Sequence, residues 1–90
     1  MLHSKQEWVR LYLGNLPYAL GPLELLGFAS KLGYVCERPE IVRDQQSGQS
    51  MGFAFLDVRK ENADEAIRVM NGQDLGGRTI RVARAKERNR

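Results

Sequence analysis

A single cysteine, Cys36, and a single histidine, His3, occur in the 90 residues of this chain. One thiol cannot close an internal disulfide, and one thiol with one imidazole cannot build a structural zinc site. A chain without disulfides fits a reducing compartment, so an intracellular place in cytoplasm or nucleus is expected. Long apolar runs are also missing. A spanning helix needs about 20 apolar residues, and no stretch approaches that, so no membrane partner is expected. Met1 to Arg10 holds His3, Lys5, Glu7 and Arg10 without an apolar core, and does not read as a signal peptide.

Catalytic patterns are equally scarce. No GxGxxG and no P-loop lysine follow Gly14. His3 lies too near the terminus for a Ser/His/Asp or Cys/His arrangement, and the carboxylates are scattered. Cys36 reads as a small, partly buried residue rather than a nucleophile. The chain is not expected to be an enzyme or to need a cofactor. Ninety residues with 42% hydrophobic and 28% charged side chains suffice for one globular domain.

What charge there is lies unevenly. Residues 1–77 hold eight Lys/Arg and ten Asp/Glu, a balance of −2. Residues 78–90 hold Arg78, Arg81, Arg84, Lys86, Arg88 and Arg90 against Glu87, a balance of +5. A basic end of this kind suits a polyanion, or is a solvated terminus.

Aromatic residues are few, 8% of the chain, but three of them are placed in a pattern. In Met51-Gly52-Phe53-Ala54-Phe55-Leu56-Asp57-Val58, the two phenylalanines are two residues apart and share one face of a strand. Ala54, Leu56 and Val58 take the other face. A strand apolar on both faces is either buried on both or leaves an aromatic surface open to a flat ligand. Leu11-Tyr12-Leu13-Gly14-Asn15-Leu16 repeats the pattern, with Tyr12 opposite Leu11 and Leu13.

The rest of the chain supplies alternating elements. Val9 to Leu13 is predicted as a first strand. Gly21-Pro22 opens a helix, since proline suits the first helical position. Leu25, Phe28, Ala29 and Leu32 line one face of it, and Gly33 is placed to end it. Val35 to Arg43 is predicted to contain a second strand with Ile41 inward. Pro39 makes it an edge strand or a bulged one. Asp44 to Ser50 is a polar turn, and Gly52 to Val58 a third strand. Ala63, Ala66, Ile67 and Met70 repeat at helical spacing up to Asn71-Gly72. Gly76-Gly77 leads into a last strand, Arg78 to Ala83, with Ile80 and Val82 on one face. The order is β-α-β-β-α-β. Two helices can cover only one face of so small a sheet.

The segments Leu11–Leu16 and Met51–Val58 resemble the paired ribonucleoprotein signatures of the RNA recognition motif family. The likeness extends over about residues 9–86, through Leu16-Pro17-Tyr18, Leu25, Gly33, Gly48 to Phe53, Ala66-Ile67, Met70-Asn71-Gly72, Leu75, Gly77-Arg78, Ile80, Val82 and Ala85. It implies an α+β fold, a ferredoxin-like sandwich with a four-stranded antiparallel sheet and two helices on one face. It implies an N-terminal extension at 1–8, a domain at 9–86 and a basic C-terminal tail at 87–90. In that family the sheet aromatics stack on two or three unpaired bases. Tyr12 and Phe55 would then stack on bases of single-stranded RNA, and Phe53 would lie against sugar or base. Single-stranded DNA would be an in vitro substitute.

Arg81 shares its strand face with Thr79 and Ala83 and should look out over the platform. Arg84, Lys86 and Arg43 are further candidates for phosphate contact. Trp8 is expected to pack at the sheet rim, and Asn15 to serve the turn. Glu37, Glu40 and Asp57 fall on or beside the same face, where their charge opposes phosphates. Three positions depart from the family. Met51 stands where the longer motif begins with Arg or Lys, Val58 where it ends in an aromatic, and Ala29 where the first helix often has Phe. The alternative function is a protein-interaction module that binds a peptide on the aromatic or helical face. Either way a monomer is expected.

Overall fold

The alternation of apolar side chains is realised as one four-stranded antiparallel sheet in the computed structural model, which describes residues 7–86. The strands are β1 (Trp8–Gly14), β2 (Cys36–Arg43), β3 (Ser50–Arg59) and, last in the chain, β6 (Arg81–Arg84). Their order across the sheet is β2-β3-β1-β6, so β1 and β3 are the central neighbours. Helix α1 (Pro22–Lys31) joins β1 to β2. A 3-10 turn (Lys60–Asn62) and helix α2 (Ala63–Met70) follow β3. The small hairpin β4 (Asp74–Leu75) and β5 (Arg78–Thr79) precedes β6.

The two central strands sort their side chains strictly. Leu11 and Leu13 of β1, with Ala54, Leu56 and Val58 of β3, are fully buried. They form one core with Leu25 and Ala29 of α1 and Ala63, Ala66 and Met70 of α2. Both helices therefore cover the Leu11 face. Tyr12, Phe53 and Phe55 stand on the other face.

Helix α1 begins as its residues dictate. Gly21 is the N-cap, Pro22 starts the first turn, and Glu24 returns a carboxylate oxygen to the Gly21 N–H at 2.7 Å. Its end is a Schellman motif: Tyr34 N–H donates to Ala29 O at 3.0 Å and Gly33 N–H to Ser30 O at 2.9 Å. Gly33 takes φ +99°, which only glycine adopts cheaply. Tyr34, just beyond, is buried against the core. In α2, Asp64 and Glu65 sit in the first turn and Arg68 in the last, each matching the helix dipole.

Pro39 does mark an edge strand, and a bulged one. The β2–β3 register shifts between Glu37 and Glu40, and Arg38 there takes φ +52°. The strand expected at Arg78–Ala83 is divided. Gly76 and Gly77 both have positive φ, the geometry of a tight primed turn, and they close the β4–β5 hairpin. Ile80 then turns into the core, its N–H donating to Gln73 O and its carbonyl accepting from Gly72 N–H, both at 2.9 Å. Only from Arg81 does the chain pair with β1. Two-residue strands are too short to announce themselves by alternation. On the outer side of β6 the Asn71 side-chain oxygen accepts from Val82 N–H at 2.9 Å.

Candidate nucleic-acid interface

Three half-buried rings occupy the uncovered sheet face. Tyr12 of β1 pairs directly with Phe55 of β3. Ring centroids are 6.0 Å apart for Tyr12–Phe55, 5.8 Å for Tyr12–Phe53 and 6.4 Å for Phe53–Phe55. The tilted and edge-on contacts hold the rings together by quadrupole attraction and leave part of each ring to solvent. Gly14 shares the Tyr12 face of β1, and the ring lies back along the strand over it. A methyl group at Gly14 would run into the Tyr12 hydroxyl. Gly14→Ala is therefore expected to keep the fold and displace the ring. Driving a side chain off its rotamer costs about 0.5–1.5 kcal/mol, and RNA affinity should fall by about that much. Calorimetry, with the Tyr12 ring signals followed by NMR, checks it. Unchanged affinity would mean that ring placement is unimportant.

The cations expected around the platform have different settings. Arg81 pairs across from Gly14, is exposed and makes no ion pair among the described residues. Ala83 beside it faces Tyr12. Arg84 pairs with Leu11, which puts it on the helical side. There its Nη2 donates to Asp64 Oδ1 at 2.9 Å, so phosphate would have to compete with that carboxylate. Lys86 is exposed just past the point where Ala85 N–H donates to Arg10 O at 2.9 Å. Arg43 donates from Nη1 to Gly48 O at 3.2 Å and borders a shallow cavity with Tyr18 and Met51 near the β2–β3 turn. Met51 is half exposed, so the departure from the usual basic residue is a real gap in the surface charge. Arg88 and Arg90 lie outside the described residues. Asn15 is a turn residue with φ +59°; its side chain donates to Thr79 O at 2.8 Å and accepts from Arg78 Nη2 at 2.7 Å.

Two residues of the platform face were not anticipated there as part of the site. β1 starts at Trp8, so Trp8, Arg10 and Tyr12 alternate onto one face. The Arg10 guanidinium carbon is 5.8 Å from the Phe55 ring centroid. Its Nη1 donates to Asp57 Oδ1 at 2.8 Å and to Arg38 O at 3.2 Å, and its Nη2 to Glu40 Oε1 at 2.9 Å. Arg38 Nε adds an ion pair to Asp57 Oδ2 at 3.3 Å. Burial works against the Arg10 charge, but its hydrogen bonds to Asp57 and Glu40 outweigh that and raise its pKa. Asp57 is only 7% exposed, and both of its oxygens are engaged. The carboxylates at 40 and 57 thus meet guanidinium groups, not phosphates, and repel a polyanion less than their number suggests. Alternation within Val9–Leu13 already puts Arg10 on the Tyr12 face, and extending the strand back by one residue adds Trp8. Cys36 lies in the same region of β2; burial, then the charge of Asp57, pushes its thiol up to about 11, so it stays protonated at neutral pH.

No helix among the described residues is long and apolar enough to cross a membrane. A family model described as the RNA recognition motif matches residues 11–81. The chain is 41% identical over 86 residues to a Nicotiana sylvestris protein named 28 kDa ribonucleoprotein, chloroplastic. That match takes in 94% of this chain and 31% of the relative, so the chain spans about a third of that protein. Among solved structures, one described as RNA binding protein PG1 superposes with a TM-score of 0.79 at 29% identity, covering 91% of this chain and 99% of the other. The Rna15 RRM with bound RNA (GU) superposes with a TM-score of 0.72 at 30% identity, covering 87% and 83%. With both aromatic motifs on the central strands, the sheet order β2-β3-β1-β6 and these matches, the chain belongs to the RNA recognition motif family.

Proposed function

We propose that this domain binds single-stranded RNA, as a monomer, across the open face of its sheet. The observation that carries this is the cluster of Tyr12, Phe53 and Phe55, three rings within 6.4 Å of one another on the face that neither α1 nor α2 covers. Exposed flat rings stack on bases of any identity. Tyr12 and Phe55 each take a base, and Phe53 lies against sugar or base. The likeness to ribonucleoproteins and to an RNA-bound domain supports the same reading.

Phosphate attraction falls to Arg81, Lys86 and the basic residues beyond, with Arg43 as a helper. Each phosphate neutralised on a single strand contributes about −0.7 to the slope of log K against log salt, so two to four contacts give roughly −1.4 to −2.8. Ending the chain after Ala85 removes Lys86, Arg88 and Arg90 with Glu87. That truncation is expected to flatten the slope and weaken all RNA sequences by a similar factor, while the core residues Ile80 and Val82 are retained. Binding isotherms at several salt concentrations check it. An unchanged slope, or a loss confined to one sequence, counts against a purely electrostatic tail.

Titration with short oligonucleotides, followed by backbone NMR shifts, tests the whole reading. Shifts should cluster on β1, β3 and β6. Shifts confined to α1 on addition of a peptide, with none from RNA, would instead favour the protein-interaction alternative. A groove between α1 and the β4–β5 hairpin, lined by Pro17, Leu20, Phe28, Leu32 and Leu75, is where such a peptide would lie.

A further inference from the structure

The platform face does not end at the three rings. Beside Phe55 a cavity of about 540 Å³ opens, bordered by Trp8, Arg10, Glu40, Phe55, Ala85 and Lys86. That volume lies within the roughly 300–1,000 Å³ common for small-molecule sites. Trp8 and Tyr12 are four residues apart on β1. At about 3.4 Å per residue they stand about 14 Å apart along the strand, too far for one base to touch both. The cavity thus begins at the platform ring Phe55 and runs on to Trp8, where it has room for a base beyond the one on Phe55.

Its chemistry suits a flat heterocycle. The Trp8 indole and the Arg10 guanidinium are both planar, and bases stack on either kind of group. Asp57, Glu40 and the Arg38 carbonyl take hydrogen bonds from both terminal nitrogens of Arg10, so the guanidinium is held in place. It offers its plane more readily than a free phosphate-seeking fork. Glu40 gives Oε1 to Arg10, while its Oε2 makes no hydrogen bond among the described residues. A carboxylate oxygen can only accept. It suits an exocyclic amino group, as on cytosine or adenine. On uracil the same edge carries carbonyl oxygens on both sides of its one N–H, and a carboxylate repels them. Lys86 at the mouth meets the phosphate attached to such a base.

We propose that Trp8, Arg10, Glu40 and Lys86 form a further nucleobase subsite, one that takes an amino-bearing base and disfavours uracil. The inference rests on RNA binding at the three-ring platform. Trp8 is the only tryptophan, so its emission reports on this subsite alone. The test titrates wild-type protein with tetracytidylate and tetrauridylate, pyrimidines that differ at this edge. Tryptophan emission and the Tyr12 and Phe55 ring shifts are recorded together. Tetracytidylate should quench Trp8 and bind more tightly than tetrauridylate. Trp8→Ala should weaken tetracytidylate by roughly 5- to 150-fold, the range for one stacked base. Should that variant fold poorly, Glu40→Gln serves, since an amide can donate to uracil and should level the two pyrimidines. Ring shifts at Tyr12 and Phe55 with unchanged Trp8 emission would overturn the subsite and leave the platform standing. A cytosine preference that survives Glu40→Gln would overturn the role of the carboxylate. RNA that binds nowhere on the sheet would remove both readings together.

Discussion

Phe55→Ala and Tyr12→Ala are each expected to weaken RNA binding by about 1–3 kcal/mol, the worth of one base stacked on one ring. Both rings are half-buried, by each other and Phe53, and neither is part of the core beneath the helices. Stability should therefore fall well short of the roughly 3–5 kcal/mol that follows loss of a buried Phe. Isothermal titration against a short unstructured RNA, with thermal denaturation of the same samples, separates the two effects. Because the two residues pair directly across β1 and β3, the double variant should lose less than the sum of the single ones. A domain that unfolds on Phe55→Ala would mean that the ring is structural and that no open platform exists.

Asp57→Ala should do the reverse, costing stability first. Asp57 is the nearly buried carboxylate that both Arg10 and Arg38 contact. Removing one member of a fully buried ion pair costs about 3–5 kcal/mol, because the other charge is stranded. The Arg10 side chain keeps 26% of its exposure, so water relieves part of that penalty. A loss of about 1.5–3 kcal/mol, the range for hydrogen bonds to charged groups, is the expected result in chemical denaturation. RNA affinity should fall as well, since the guanidinium beside Phe55 would then be held only by Glu40 and the Arg38 carbonyl. A variant as stable as the parent would show that Arg10 finds solvent freely and that the cluster on the sheet face is loosely held.

How much of this was legible in the sequence depends on the range of the interaction. The three rings were legible because alternation is a local rule: Phe53 and Phe55 must share a face whatever surrounds them. Their exposure needed one more step, that two helices cannot cover both faces. Helix α1 was equally plain, since Gly21-Pro22 and Gly33 mark both of its ends. The Arg10–Asp57 pair was not legible. It joins residues 47 positions apart, and only the register of β1 against β3 brings them opposite. Asp57 therefore looked like a charge that opposes phosphate, when it is largely neutralised. Trp8 was placed at a rim because the strand was begun one residue late. The turning of Arg84 toward Asp64 follows from β6 running one residue beyond the expected Ala83, on the face of Ile80 and Val82.

Both outer strands of the sheet are poor templates for another chain. On β2, Pro39 lacks an N–H and the shift near Arg38 breaks the row of backbone groups. On β6, the Asn71 amide already occupies the Val82 N–H that an added strand would seek. A sheet with blunted rims resists fusing with its neighbours even when many copies are crowded together. Several such domains could then line one RNA, their aromatic faces all turned to it, without zipping into a shared sheet. For a small domain with a half-apolar open face, that resistance to aggregation is as much a condition of use as the binding surface itself.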